Sequence, residues 1–248
     1  EDNGFEAAIT GKLPSGVTLN TIKTMVIDAK TNTVFVVVDD GSTNLYAYAV
    51  TETTHNTFTW SGAFNLTSLP PITSLHGIEA MAAYNNRLFL VVETTRHNKL
   101  FAYKVVLSAT AFSLEQEGSG IELNKLRSYT GCTGLFADAD GVYCLLSDQN
   151  LYGGNLYALG QIVRYQYSGS AFTGETKIGL NPKAEGTDGI PFDAQYFSAP
   201  VGFIGYDEEN LYIADDGVGI QYVNENYKKY TLIGAYAARL IPQNGTIM

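Results

Sequence analysis

The sequence predicts an all-β fold, a β-propeller with four recognisable four-stranded blades, on three observations. Tyr and Phe are abundant at 17 and 12 residues, a hairpin-like segment recurs four times, and two further strand-like runs follow each recurrence. Aromatic side chains favour the pleated, half-buried surface of a strand. Four strands per repeat is the composition of a propeller blade.

The recurring segment is an apolar run, a polar turn, an apolar-aromatic run and an acidic end. It reads MVIDAKTNTVFVVVDD, MAAYNNRLFLVVET, LFADADGVYCLLSD and FIGYDEENLYIADD. Its anchoring aromatics are Phe35, Phe89, Tyr143 and Tyr212, at steps of 54, 54 and 69 residues. Third strands follow at NLYAYAV (44–50), KLFAYKV (99–105), QIVRYQYS (161–168) and GIQYVNE (219–225), alternating apolar and polar positions as half-buried strands do. Fourth strands are expected in TFTWSGAFNL from Thr57, AFSLEQEG from Ala111, AFTGETKIGL from Ala171 and KYTLIGAYAARL from Lys229.

These readings place the blades at about 24–66, 79–123, 133–180 and 201–240 of a single domain, 1–248. LYGGNLYALG in the third unit and AEGTDGIPFDAQYF before the fourth read as insertions, which belong in loops on one rim of a repeat structure. FEAAITGKLP at 5–14 reads as an extra outer strand, because GKLPSGVTLNTIKTM parallels ARLIPQNGTIM at the other end. The chain is therefore expected to be part of a larger propeller or to close irregularly.

Composition narrows the partners. A net charge of −10 repels a phosphate backbone and no Lys/Arg run offsets it, which argues against nucleic acid and anionic membrane. No stretch approaches the roughly 18 apolar residues of a membrane helix, so no membrane span is expected. The chain starts at Glu1, which leaves room for a removed signal peptide or lipid anchor, and the expected location is extracytoplasmic: secreted, periplasmic or cell-surface. Cys132 and Cys144 lack metal spacing. A regular hairpin turning at Asp138–Gly141 would set Cys144 opposite Leu135 and Cys132 opposite Ser147, with thiols on opposite faces and no disulfide.

Ala199–Gly217, APVGFIGYDEENLYIADDG, resembles the NHL repeat, with its Pro-Val-Gly opening, turn acid and strand ending in Ala-Asp. His76–Glu93, HGIEAMAAYNNRLFLVVE, is similar to the Gly-Ile-Glu blade opening of phytase-like, gluconolactonase and related six-bladed propellers. The first resemblance implies an interaction module. The second implies a group that includes metal-dependent hydrolases.

The acids closing each second strand, Asp39, Asp40, Glu93, Asp148, Asp215 and Asp216, recur in every unit. Recurrence points to turn chemistry, in which Asp accepts N–H bonds from the residues that follow. Asp138 and Asp140 in DADG lack the third ligand and the distant bidentate Glu of an EF-hand loop, so a hairpin turn is expected there. Glu79 opens a first strand, where a propeller directs side chains to its channel. A carboxylate there suits a hard cation such as Ca2+, with His76, Asn20, Asp188 or Asp193 as candidate neighbours. Neither GxSxG nor a Ser-His-Asp order is present. Trp60 and the tyrosines of YAYAV, YQYS and IQYV suit either a sugar-stacking platform or packing between blades, and packing is the commoner use. The expected function is a non-catalytic scaffold binding a protein, small-molecule or glycan ligand. The alternative is a metal-dependent hydrolase or lactonase with Glu79 in its channel.

Overall fold

The computed structural model describes residues 14–15, 17–42, 44–54, 57–69, 72, 77–93, 98–108, 111–123, 131–152, 155–178, 200–206, 210–215, 219–224 and 229–234. Of the outer strand expected over 5–14, only Pro14 lies among them, and residues 184–197 lie outside them.

Among the described residues the strands form four sheets, each a meander in chain order. Sheet 1 holds β1 (Ile22–Asp28), β2 (Thr33–Asp39), β3 (Leu45–Thr54), β4 (Thr57–Trp60) and β5 (Phe64–Asn65). Sheet 2 holds β6 (Ile78–Ala83), β7 (Arg87–Glu93), β8 (Asn98–Leu107) and β9 (Phe112–Glu122). Sheet 3 is β10 (Gly131–Ala137), β11 (Val142–Tyr152), β12 (Asn155–Tyr167) and β13 (Phe172–Ile178). Sheet 4 is β14 (Pro200–Tyr206), β15 (Asn210–Asp215), β16 (Gly219–Asn224) and β17 (Lys229–Gly234). The fold is thus all-β, with one antiparallel sheet for each repeat, of five strands in the first and four in the others.

Two expectations need correction. LYGGNLYALG is not a loop: β11 and β12 run through it, with Asp148 paired to Leu159 and Tyr152 to Asn155. TFTWSGAFNL is not one strand but two, β4 and β5, both paired to β3. Between them Ser61 stands in for the ladder, its Oγ accepting from the Ala49 N–H at 2.9 Å and its own N–H donating to the Ala49 carbonyl at 2.9 Å.

The chain divides into two compact units, one containing sheets 1 and 2 and the other sheets 3 and 4. In the first, Phe35, Val37, Leu45, Ala47 and Ala49 of sheet 1 pack against Met81, Leu88, Leu90, Val92 and Tyr103 of sheet 2. Phe112 of β9 meets Phe35 at 5.9 Å and the edge of Phe64 at 5.8 Å. Burying each such side chain contributes about 1.5–3 kcal/mol. In the second unit Tyr143, Leu145 and Ile162 of sheet 3 pack on Ile213 and Phe203 of sheet 4. Gly134 lets the two first strands approach, since a Cβ there would stand 3.1 Å from the Phe203 backbone nitrogen.

A buried charge links sheets 1 and 2. Asp28, 0% exposed at the end of β1, accepts from the Lys30 N–H at 3.0 Å within its own turn. It also accepts from the N–H groups of Asn85 at 2.9 Å and Asn86 at 2.7 Å, in the β6–β7 turn. Asn85 and Asn86 both have positive φ, 51° and 59°, as a two-residue type I′ hairpin requires, and Asn is among the few residues that tolerate it. Asp28→Ala would leave three N–H groups without their acceptor. We expect urea unfolding to show a loss of about 2–4 kcal/mol with an unchanged m-value, and Asp28→Asn, which keeps one acceptor, to fall between.

Tyr103 presents the opposite case. It is 0% exposed in the core between these sheets, its hydroxyl has no hydrogen-bond partner among the described residues, and burial pushes its pKa up. Tyr103→Phe keeps the ring and removes the unsatisfied group, so the melting temperature is expected to hold or rise, corresponding to a gain of up to about 1–2 kcal/mol. A fall of that size would show that the hydroxyl is satisfied.

Candidate functional site

The candidate site is the same end of each sheet taken by itself, its rim, where the first strand begins, the second ends and the third begins. A single backbone feature recurs there. In sheet 1, Ile22 pairs with Val38 and Thr24 with Val37, which leaves Lys23 as a bulge. In sheet 2, Ile78 pairs with Val92 and Ala80 with Val91, which leaves Glu79. In sheet 4, Pro200 pairs with Asp215 and Gly202 with Ala214, which leaves Val201. Each bulge lies opposite the step between the second and third residues after the anchor aromatic. Such an extra residue bends the strand and re-aims a side chain.

Glu79, the residue singled out for a metal, is therefore a bulge residue. It is half-buried, and its Oε2 accepts from the Asn98 Nδ2 at 2.7 Å, Asn98 being buried at the start of β8. Lys23 is its counterpart in sheet 1. The Lys23 Nζ pairs with the Asp39 carboxylate at 3.1 Å, which ties the bulge to the end of β2. Sequence reasoning missed Lys23 because it lies 12 residues before its anchor aromatic while Glu79 lies 10 before its own, a difference made by the longer first hairpin. The structure pairs Glu79 with an amide donor. Asn20 is an exposed residue of the 3-10 turn Leu19–Thr21, while His76, Asp188 and Asp193 lie outside the described residues, as do His55 and His97.

The strand-ending acids of sheet 1 act as turn formers. Asp39 accepts from the Gly41 N–H at 2.8 Å. The Asp40 Oδ1 accepts from the Ser42 N–H and hydroxyl, both at 2.8 Å, and from the Asn44 N–H at 3.1 Å, while its Oδ2 accepts from the Asn44 Nδ2 at 2.9 Å. These donors leave little of the carboxylate for a cation. The Asn44 Oδ1 in turn accepts from the Thr67 hydroxyl at 3.2 Å, next to the Asn65 cap of a short 3-10 turn, Leu66–Ser68. Glu93 is exposed, and the side chains of Asp148, Asp215 and Asp216 lie outside the description. Asp138 and Asp140 flank the β10–β11 turn as expected of DADG. Gly141 there has φ 149°, and a Cβ would collide with the Tyr165 carbonyl.

The aromatics pack. Trp60 meets Tyr48 edge-on at 5.9 Å within a cluster of Val17, Val36, Val38 and Val50. Tyr165 is 0% exposed, and Tyr167 lies 5.0 Å from Phe172. The cysteines, both buried and unbonded, depart from the expected geometry. The thiols do not point apart: Cys144 lies against the Cys132 thiol, and burial followed by that contact pushes its pKa up. Cys132 Sγ donates to the Gly134 carbonyl at 3.2 Å. An extra residue in β10 at the bulge position of the other sheets would set Cys132 opposite Leu146, which shares a face with Cys144. A regular ladder puts it opposite Ser147, on the other face.

The rim acids make a pH signature. The Gly41 N–H and then the Lys23 ammonium hold the Asp39 carboxyl below its ordinary 3.8, and the Asn44 side chain followed by the Ser42 hydroxyl and N–H hold Asp40 well below it. Folded values below unfolded ones mean stability that is present above about pH 5 and lost as pH falls through the depressed folded values. Carboxyl carbon shifts in an NMR titration should place the Asp40 midpoint below that of an unfolded peptide. Asp40→Ala should flatten the acid limb of the stability profile and leave the neutral-to-alkaline limb parallel to the parent.

Residues 127–233 match the family described as the TdpA C-terminal domain, and the rest of the chain lies outside that match. No curated protein matches the chain. The matched stretch is less than half of the chain and takes in sheets 3 and 4 up to the penultimate residue of β17, so similarity to that family is carried by the second pair of sheets.

Proposed function

We propose that this chain is a non-catalytic binding and scaffold propeller of the NHL type, acting outside the cytoplasm, which offers the long β11–β12 hairpin to a protein or glycan ligand. The length of that hairpin carries the reading. β11 continues nine residues past its anchor Tyr143, whereas β2 and β7 stop four past Phe35 and Phe89 and β15 stops three past Tyr212. The five additional residues carry the ladder roughly 16 Å beyond the rim at about 3.3 Å per residue. An element that differs from its repeat equivalents, at the rim where they are otherwise alike, suits specificity. Supporting this, Asp39 and Asp40 are engaged by donors in their own turn. The charge of −10 suits a neutral or basic partner surface and disfavours nucleic acid.

The second reading, a metal-dependent hydrolase or lactonase using Ca2+, draws on one observation: Glu79 is a bulge residue, and bulges are over-represented beside active sites. Calorimetric titration of chelator-treated protein with CaCl2 separates the two. The expected result is no stoichiometric heat, in the parent and in Glu79→Gln alike. One calcium per chain, lost in Glu79→Gln, overturns the scaffold reading. Replacing residues 149–158 by Asn-Gly should keep the melting temperature within about 2 °C, as for an arm that contributes little to stability. A larger fall assigns the hairpin a structural role and removes the observation on which the proposal stands.

A further inference from the structure

One pair of core positions changes its chemistry in a single repeat. The residue before the bulge of the first strand and the residue after the anchor aromatic are Ile22 and Val36 in sheet 1, and Ile78 and Leu90 in sheet 2. Each pair shares an apolar cluster, Ile22 with Val36 and Val38, Ile78 with Leu90 and Val92. In sheet 4 the same positions hold Pro200 and Ile213. The 54-residue step puts Cys132 and Cys144 there in sheet 3. Thr133 takes the place of the bulged Glu79, and its hydroxyl donates across to the Leu145 carbonyl of β11 at 3.4 Å. Cys132 and Cys144 are 4% and 0% exposed, and their thiols touch.

Hydrocarbon side chains at these positions only pack. Two thiols in contact can also be oxidised, and the backbone beneath them decides how stable the product is. On the register of the other sheets Cys132 lies opposite Leu146, so Cys144 is its diagonal neighbour, at a Cα separation of about 7–8 Å in a regular ladder. A relaxed disulfide spans less than about 7 Å. Closing the bond therefore draws the start of β10 towards β11. It also removes the proton that the Cys132 Sγ donates to the Gly134 carbonyl at 3.2 Å. Gly134 is where β10 meets sheet 4, with no Cβ to hold off the Phe203 backbone, and two residues on Phe136 meets the Phe203 ring at 6.3 Å.

We propose that Cys132 and Cys144 are an oxidisable pair, which hydrogen peroxide closes into a strained, reducible cross-strand disulfide that loosens the seam between sheets 3 and 4. One thiolate attacks a peroxide oxygen, breaking the O–O bond and becoming a sulfenic acid as hydroxide leaves. The other attacks the sulfenic sulfur, forming the S–S bond and expelling a second hydroxide. The two thiol protons turn both hydroxides into water, so the pair gives up two electrons and the peroxide takes them. Strain makes a disulfide easier to reduce, and a dithiol restores the pair by exchange. Burial pushes the Cys144 thiol up, so its thiolate is scarce and the oxidation is slow.

Peptide mass spectrometry of the folded 248-residue chain, treated with dilute hydrogen peroxide and then alkylated in denaturant, tests this. The expected product has lost both alkylatable thiols together, is lighter by two hydrogens at the cysteines, and regains both thiols in dithiothreitol. Hydrogen exchange in the oxidised form should be faster over Pro200–Tyr206 and unchanged over Ile78–Ala83. Cys132→Ser should leave one oxidised cysteine with no bond within the chain, and exchange over β14 as in the reduced parent. Two free thiols persisting after Met25, 61% exposed, is fully converted to its sulfoxide overturn the proposal. A disulfide between chains overturns it as well. So does a bond within the chain that leaves β14 exchange unchanged, or one that dithiothreitol cannot reduce in the folded protein.

Discussion

A buried carboxylate shared between two hairpin turns sets the geometry on which the first unit depends. Asp28 sits fully inside, and such a charge is tolerated only where donors replace its water. Three backbone N–H groups do so, one from its own turn and two from the turn of the next sheet. Those two point to one side because Asn85 and Asn86 are both left-handed, so the conformation of one turn and the charge of the other fit each other. Ladder hydrogen bonds hold strands within a sheet and say nothing about where the next sheet goes. Apolar packing joins sheets but tolerates sliding. A directional charged contact at one end supplies the missing constraint, and the Phe35, Phe64 and Phe112 cluster lies in the core of the same sheet pair.

The opposite end of each sheet is differently built. There the carboxylates of Asp39 and Asp40 shape their own turn and Lys23 braces Asp39, all within one sheet. Solvent screens such surface pairs, so they add little to stability. An end that does not hold sheets together is free to carry a hairpin that outgrows its neighbours, as β11 and β12 do.

The repeat was legible because anchor aromatics, twice at a step of 54 residues and once at 69, reveal strands whatever their tertiary setting, and all four anchors lie on second strands. Parity was not. A bulge adds one residue with no compositional mark, and it exchanges the faces of every residue beyond it. Lys23, Glu79 and Val201 share nothing chemically, so no pattern announces the bulge. Cys132 was consequently assigned to the wrong face. LYGGNLYALG was misread for a related reason: its Gly-Gly marks a turn, and whether strands or loops flank a turn is decided by pairing across it, which single-strand patterns do not contain. Ser61 splits the fourth strand of sheet 1 by offering its own oxygen to Ala49, a substitution that a Ser-Gly dipeptide only hints at.

That the bulge recurs at one register while its side chain changes from Lys to Glu to Val bears on where function resides. A feature kept for chemistry would keep its side chain, and one kept for backbone shape would keep only its position. The bulge is of the second kind: it ends the pairing of β1, β6 and β14 at the same place and leaves each bulged side chain to local use. Lys23 then grips Asp39 and Glu79 grips Asn98, two solutions to the task of tying a bent first strand to the connection between the next two. On this argument Glu79 is first a brace. Recurrent elements answer to the architecture, and the places to seek specificity are those where one repeat departs from the rest: the β11–β12 extension, and the exposed Met25 and Ile27 of sheet 1.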